Sequence, residues 1–208
     1  MRQFKSEMEG TAPSTPSSYL ETFSRSETSI GRALSYSLKA QGRRIQELFG
    51  EFGDGGLENA LAPAALQDAT KRRSLASVVR LRREHAMGAD QKLDLIFQQA
   101  HEGVSAAVAG FLPRYKAAWM RGYEDGSNKT EGLLKDYARL RAAMLDDLLE
   151  LYAMLDEHEH TVNGKGVVIF EDRMVVEGYN MKLKEINEGF TKMQGIEKAL
   201  KVVDRLPG

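Results

Sequence analysis

The chain has no cysteine among its 208 residues. This absence excludes disulfide bonds, thiolate metal sites and cysteine nucleophiles. The chain also lacks an excess of charge of either sign, because 29 basic residues face 30 acidic ones. The overall charge therefore does not require nucleic acid or an anionic surface as a partner. With 42% hydrophobic and 28% charged residues, the composition is typical of a folded globular protein.

Long apolar runs are also missing. The longest weakly polar run, Gly103 to Leu112, is about half of the roughly 20 residues that a membrane-spanning helix needs. Met1 to Gly10 alternate charge and polarity, a pattern that does not indicate a secretory signal peptide. We therefore expect a protein without a transmembrane segment, located in the cytoplasm.

The strongest pattern is an apolar seam near the carboxyl terminus. Its members recur every three or four residues: Val176, Tyr179, Leu183, Ile186, Phe190, Met193, Leu200 and Val203. Such a period predicts a helix packed against another helix. Similar spacing from Leu134 to Leu155 predicts a preceding helix that ends at Asn163-Gly164. The two predicted helices form an antiparallel hairpin over residues 130–205.

A short β-branched segment, Val167 to Phe170, lies between these two predicted helices. It can pair with Met174 to Val176 as a hairpin, or stand alone as an extended plug over the end of the bundle. We favour the second alternative, with Asp172 capping the last helix.

Three further helical stretches are predicted in the first half. One begins at Ile30 with Ser29 as its cap, and Gly53 to Gly56 end it. The second runs from about Leu57 to Ala86, and Pro63 either enters or interrupts it. The third follows a break at Gly88 to Asp90 and ends at Pro113.

Polar residues then predict a loop in the second half. After Pro113, Tyr115 to Tyr123 indicate a short helix or a kinked continuation. Glu124 to Asn128 have the composition of a loop, after which Thr130 can cap the next helix.

Together these patterns predict an all-α fold. We expect an elongated four- or five-helix bundle with a long carboxyl-terminal antiparallel hairpin and one short extended segment between its helices. A dimer in which the hairpins pair across a twofold axis is the alternative. Residues 1–28, rich in Ser and Thr, predict a flexible leader. Residues 29–208 then form a single helical domain.

One acidic run contains the only crowding of metal-capable residues, from Asp156 to His160. Glu157 and His160 have the Glu-x-x-His spacing of helical di-iron sites. The second such pair that a di-iron bundle requires is missing, so we predict no metal and interpret the run as a solvated helix end. Its alternative role is a docking surface for a basic partner.

A basic stretch from Lys71 to Arg83 contains no acid. On a helix, Arg73, Arg80 and Arg83 can share a face that contacts phosphates or anionic lipid headgroups. We favour a solvated face, or contact with the acidic carboxyl-terminal helices.

Motifs for cofactors and nucleophilic catalysis are not recognisable, so we predict no cofactor and no enzymatic activity. The expected function is a helical interaction or scaffold protein that binds a partner protein or itself. The seam residues expected to bind are Tyr179, Leu183, Ile186, Phe190 and Met193. One alternative is a specialised-secretion effector or immunity-type factor, exported through its leader. A second is a binder of nucleic acid or anionic membrane through the basic stripe, which we define as Arg73, Arg80 and Arg83.

Overall fold

The computed structural model describes residues 29–51, 57 and 59–203 of the chain. The predicted leader over residues 1–28, and with it the export alternative, lies outside the described residues. The described part contains six helices and one two-stranded sheet. The elements in chain order are α1 Ser29–Glu51, α2 Pro63–Gln67, α3 Ala69–Met87, α4 Ala89–Ala107, α5 Pro113–Glu157, β1 His160–Val162, β2 Val168–Phe170 and α6 Arg173–Val203. The predicted all-α, bundle-like fold class is confirmed.

The described residues form two compact units. Unit 1 contains residues 57, 59–87 and 139–193, whereas unit 2 contains residues 29–51, 88–138 and 194–203. Helices α5 and α6 each contribute residues to both units. The single domain expected over residues 29–208 stays a prediction.

Near the start of unit 1, Asp68 joins the five-residue helix α2 to the 19-residue helix α3. Pro63 is the first residue of α2, the position where its missing N–H costs least. Asp68 then takes an extended conformation, and its carboxylate accepts hydrogen bonds from the backbone N–H groups of Thr70 at 2.8 Å and Lys71 at 3.2 Å. This side chain therefore caps α3 and separates it from α2.

The short extended segment neither pairs with Met174 to Val176 nor stands alone. Both alternatives for Val167 to Phe170 were wrong, because β2 pairs antiparallel with β1, placing Thr161 opposite Ile169. Helix α5 ends at Glu157 and not at Asn163-Gly164. Asn-Gly also favours the tight turn of a β-hairpin, and here the turn it forms joins β1 to β2.

The turn between β1 and β2 requires a glycine at position 166. Gly166 has a φ of 78°, a left-handed conformation that side chains rarely adopt. The Asn163 side chain accepts hydrogen bonds from the backbone N–H groups of Lys165 at 2.9 Å and Val167 at 3.0 Å. As predicted, Asp172 then caps α6, since its carboxylate accepts from the Met174 N–H at 2.7 Å.

Helices α5 and α6 run antiparallel within unit 1. A Cβ added at Gly178 would lie 3.1 Å from Met154 Cε, and one at Gly189 would lie 3.5 Å from Met144 Cβ. As residue numbers rise along α6, their partners fall along α5. The two glycines thus mark where these helices approach each other closely.

Unit 2 is built on the packing of α1 against α4. Leu34 packs with Val104, Val108 and Met120 in a buried cluster, and six other apolar residues pack around it: Ile30, Leu38, Ala107, Phe111, Trp119 and Tyr123. The two helices approach closely at Gly103, where an added Cβ would lie 2.6 Å from Ser37 Oγ.

The loop predicted at Glu124 to Asn128 was wrong. Helix α5 continues through these residues without a break. Thr130 does not cap a new helix, because its hydroxyl donates to the Gly126 carbonyl one turn earlier at 2.9 Å. Polar residues are tolerated on an exposed helix surface, and a glycine there costs only about 1 kcal/mol relative to alanine.

Candidate functional site

Most of the predicted partner-binding seam of α6 packs within the chain. Tyr179, Ile186 and Met193 are buried, whereas Leu183 and Phe190 are half-buried. Ile186 and Phe190 line a cavity of about 20 Å³ in unit 1, whose other lining residues are Leu57, Ala60, Leu61, Arg141, Met144, Leu145 and Leu148. An external partner would therefore reach Leu183 and Phe190 more readily than the other three.

A different set of apolar side chains in unit 1 is open to solvent. Val167 and Ile169 of the hairpin are 53% and 50% exposed, and Met174 and Met181 of α6 are 74% and 55% exposed. All four lie within fifteen residues of one another in the chain. We call this set the exposed apolar segment. The exposed apolar segment is not part of the predicted seam, because its four residues do not fall on the three- and four-residue steps that lead from Val176 to Val203.

The hairpin is fixed to α6 by aromatic packing. The Phe170 ring lies 5.3 Å from the Tyr179 ring and 5.7 Å from the His160 ring, measured between centroids. Burial raises the pKa of the Tyr179 hydroxyl to about 12. The inner side of the hairpin thus packs on α6, while Ile169 remains on the exposed side.

Lys182 joins α5 to α6 by electrostatic contacts. Its ammonium lies 2.8 Å from Glu150, 2.8 Å from Glu185 and 3.1 Å from Asp147. Hydrogen bonds to these carboxylates, led by the one to Glu150, raise the pKa of Lys182 above its ordinary value. These ion pairs therefore connect α5 to α6.

The basic stripe of α3 is divided between two roles. Arg83 forms an ion pair with Asp146 of α5, whereas Arg73 and Arg80 are exposed. Glu84 follows Arg80 by one turn and is exposed as well. Of the predicted anion-binding set Arg73, Arg80 and Arg83, two side chains remain available to an anion, and the third contacts an acidic carboxyl-terminal helix.

Arg72 is the centre of a buried polar cluster in unit 1. Its side chain is 4% exposed, and its Nη2 and Nε atoms lie 2.6 Å and 2.9 Å from Asp156 Oδ1. Its Nη1 donates to the Leu66 carbonyl at 2.5 Å. The fixed fork of a guanidinium group matches these acceptors and links α2, α3 and α5.

The metal candidates Glu157 and His160 do not share a helix. Glu157 is the last residue of α5, and His160 begins β1. The His160 ring nitrogens lie 3.0 Å from the carbonyl oxygens of His158 and Leu66. Among the described residues, no three His, Asp or Glu side chains are grouped to hold a metal ion.

A polar cleft of about 260 Å³ in unit 2 was not anticipated from the sequence. Its lining includes Asp94, Phe97, Gln98, His101, Tyr123, Glu124, Ser127, Asn128 and Glu131. Lys135 lies 2.7 Å from Glu131 and also pairs with Asp94, and its hydrogen bond lowers the pKa of the Asp94 carboxyl. Glu124, Ser127 and Glu131 have the spacing of one helical face. We missed this signal in the sequence because we predicted a loop at Glu124 to Asn128.

In comparisons with family models, curated proteins and solved structures, nothing matches this chain. In the parts of the chain that the structure describes, no helix is both long and apolar enough to cross a membrane.

Proposed function

We propose that the protein works by binding another protein, or a second copy of itself, and not by catalysis. The observation that carries this proposal is the exposed apolar segment of unit 1: Val167, Ile169, Met174 and Met181. Four large apolar side chains exposed within fifteen residues of the chain favour an interaction site, because covering them removes apolar area from water.

The character of this segment favours an apolar contact with a protein. Met174 and Met181 are seven residues apart, so they lie on the same side of α6 two turns apart. Flexible methionine side chains adapt to the shape of a partner helix. Leu183 and Phe190, the half-buried members of the predicted seam, extend the apolar character of α6.

The test is affinity capture from the source cells with the full chain and with the double variant Met174→Glu/Met181→Glu. Both methionines are exposed, so the variant should keep its fold. We expect one defined protein, or the chain itself, to be retained in high salt by the parent chain and lost from the variant.

The matched control is Lys184→Glu, which alters the net charge by the same amount on the same helix. Lys184 is 77% exposed and lies 3.7 Å from Glu188. The control should retain the partner. Equal loss from both variants would indicate an electrostatic contact, and retention by both would exclude the exposed apolar segment as the binding surface.

A further inference from the structure

Unit 2 contains two segments without acidic residues. Residues 29–46 carry Arg32, Lys39, Arg43 and Arg44, and residues 103–123 carry Arg114, Lys116 and Arg121, with no Asp or Glu in either segment. The rest of the chain has 22 basic and 30 acidic residues. The net charge of the whole chain is close to zero, but these two segments are basic and the rest of the chain is acidic.

The fold brings these two segments together. Ile30 near the start of α1, Phe111 in the α4–α5 turn and Trp119 of α5 all pack on the same buried cluster. The first turns of α1 and α5 thus lie at one end of unit 2. Four of the seven basic residues, Arg32, Arg114, Lys116 and Arg121, lie within the first ten residues of these helices.

In the described part of the chain, no acid pairs with the basic residues at this end. Elsewhere, Arg72, Arg83 and Lys135 each pair with a carboxylate. Within residues 29–51, 57 and 59–203, no ion pair involves any of the seven basic side chains. Arg114 instead lies over the ring of Tyr115, 4.6 Å from its centroid. The charge of this end is consequently available to an external anionic surface.

Apolar and amphipathic side chains accompany the charge. Leu112 in the turn is 61% exposed, Tyr115 is 54% exposed, and Tyr36 on α1 is 73% exposed. Arg32, Arg114 and Arg121 belong to the same helix starts and are exposed as well. Tyrosine, arginine and an aliphatic residue at a turn form the combination that suits the boundary between lipid headgroups and acyl chains.

We propose that this end of unit 2 binds the surface of an anionic lipid bilayer. The surface consists of Arg32, Tyr36, Leu112, Arg114, Tyr115 and Arg121, and it is distinct from the stripe on α3. Leu112 and the tyrosines enter the interface, while the arginines contact lipid phosphates and other anionic headgroups.

Two contacts favour a bilayer over a nucleic acid. The Trp119 ring already stacks on the Tyr123 ring, with centroids 6.2 Å apart and planes 11° apart. Arg114 occupies one face of Tyr115. Base stacking requires open aromatic faces, whereas an exposed leucine at a turn contributes to membrane binding and does little for a phosphate backbone.

The test is binding of the full chain to vesicles of phosphatidylcholine with and without phosphatidylserine. Trp119 is the only tryptophan and lies beside the proposed surface, so its fluorescence reports insertion. We expect a blue shift, and quenching by brominated lipid, with anionic vesicles only. High salt should weaken the binding.

Two variants locate the surface. Arg114→Glu/Arg121→Glu should lower the partition coefficient by about thirtyfold or more, since each basic residue near an anionic surface contributes about 1 kcal/mol. Leu112→Asp should abolish quenching by brominated lipid. Arg73→Glu/Arg80→Glu, with the same change in charge on exposed residues of α3, should bind like the parent chain. Circular dichroism establishes that each variant remains folded.

The proposal is overturned if anionic vesicles are not bound at low salt. It is also overturned if the Arg73/Arg80 variant loses as much binding as the Arg114/Arg121 variant, or more. Binding to RNA or DNA oligonucleotides without binding to vesicles would assign the basic end to nucleic acid instead.

Discussion

Arg72 Nη2 lies 2.6 Å from Asp156 Oδ1, and this ion pair joins α3 to the last turn of α5. The arginine is buried, whereas the Asp156 side chain is 39% exposed. Because the same guanidinium also donates to the Leu66 carbonyl, a single side chain secures three helices of unit 1.

Arg72→Ala should lower the free energy of unfolding by about 2 kcal/mol, because the buried Leu66 carbonyl loses its donor and the more exposed Asp156 loses its ion pair. Arg72→Lys should restore only part of this loss, since an ammonium group cannot reproduce the fork. Urea unfolding monitored by circular dichroism measures both. Arg73→Ala, at the next and exposed residue, is the control and should change stability by less than about 0.5 kcal/mol. A similar small loss for Arg72→Ala would contradict the role of the cluster.

Gly126→Ala should raise the free energy of unfolding by about 1 kcal/mol, because alanine is favoured over glycine inside a helix. An added Cβ at this position meets nothing within 4 Å. Thermal or urea unfolding of the variant measures the change. No gain, or a loss, would indicate that residues 124–128 form a loop after all.

Gly103→Ala, in contrast, should lower the free energy of unfolding. The added methyl group would lie 2.6 Å from Ser37 Oγ, and the cost of overpacking, about 1–3 kcal/mol, exceeds the gain in helix propensity. The double variant Gly103→Ala/Ser37→Ala should recover part of the loss, because it removes the hydroxyl. Urea unfolding of the single and double variants measures the coupling; equal stability of Gly103→Ala and the parent chain would contradict the close approach of α1 and α4.

Stability should fall as the pH rises from about 10 to about 12. The Tyr179 hydroxyl has an ordinary pKa of 10.0 in the unfolded chain and about 12 in the folded chain. Its contribution is therefore fully present below pH 10 and is lost through this window, because the unfolded state releases its proton first. Tyr179→Phe should make the decline less steep by at most about 1.4 kcal/mol per pH unit.

Unfolding in urea at a series of alkaline pH values measures this dependence. Tyr36→Phe removes a hydroxyl from a side chain that is 73% exposed and serves as the control. An unchanged slope in Tyr179→Phe would show that other groups govern the alkaline loss.

The helical periodicity predicted the fold class, and the cap predicted at Asp172 is confirmed. The single stretch predicted from Leu57 to Ala86, which Pro63 enters or interrupts, was wrong, because Pro63 begins α2 and Asp68 separates α2 from α3. The periodicity failed at residues 124–128, where loop composition competes with a continuous helix that neighbouring contacts stabilise. It also failed at the β-hairpin, because Asn163-Gly164 suits both a helix end and a tight turn. Strand pairing then depends on where α5 ends, which the local sequence does not specify.

The candidate surfaces were less predictable than the fold. An apolar seam shows that a helix face is covered, but it does not distinguish cover by the same chain from cover by a partner. For Tyr179 and Ile186 the cover is provided by the chain itself. The division of the basic stripe depends on the ion pair between Arg83 and Asp146, residues 63 positions apart that only the fold brings together.

Site-specific photo-crosslinking in the source cells tests protein binding through unit 1 most directly. A photoreactive phenylalanine derivative replaces Met181 in one variant and Lys184 in the control. We expect one discrete crosslinked product from position 181, at the mass of a partner complex or of a dimer, and none at comparable yield from position 184. No product from position 181, or the same products from both positions, would contradict the proposal.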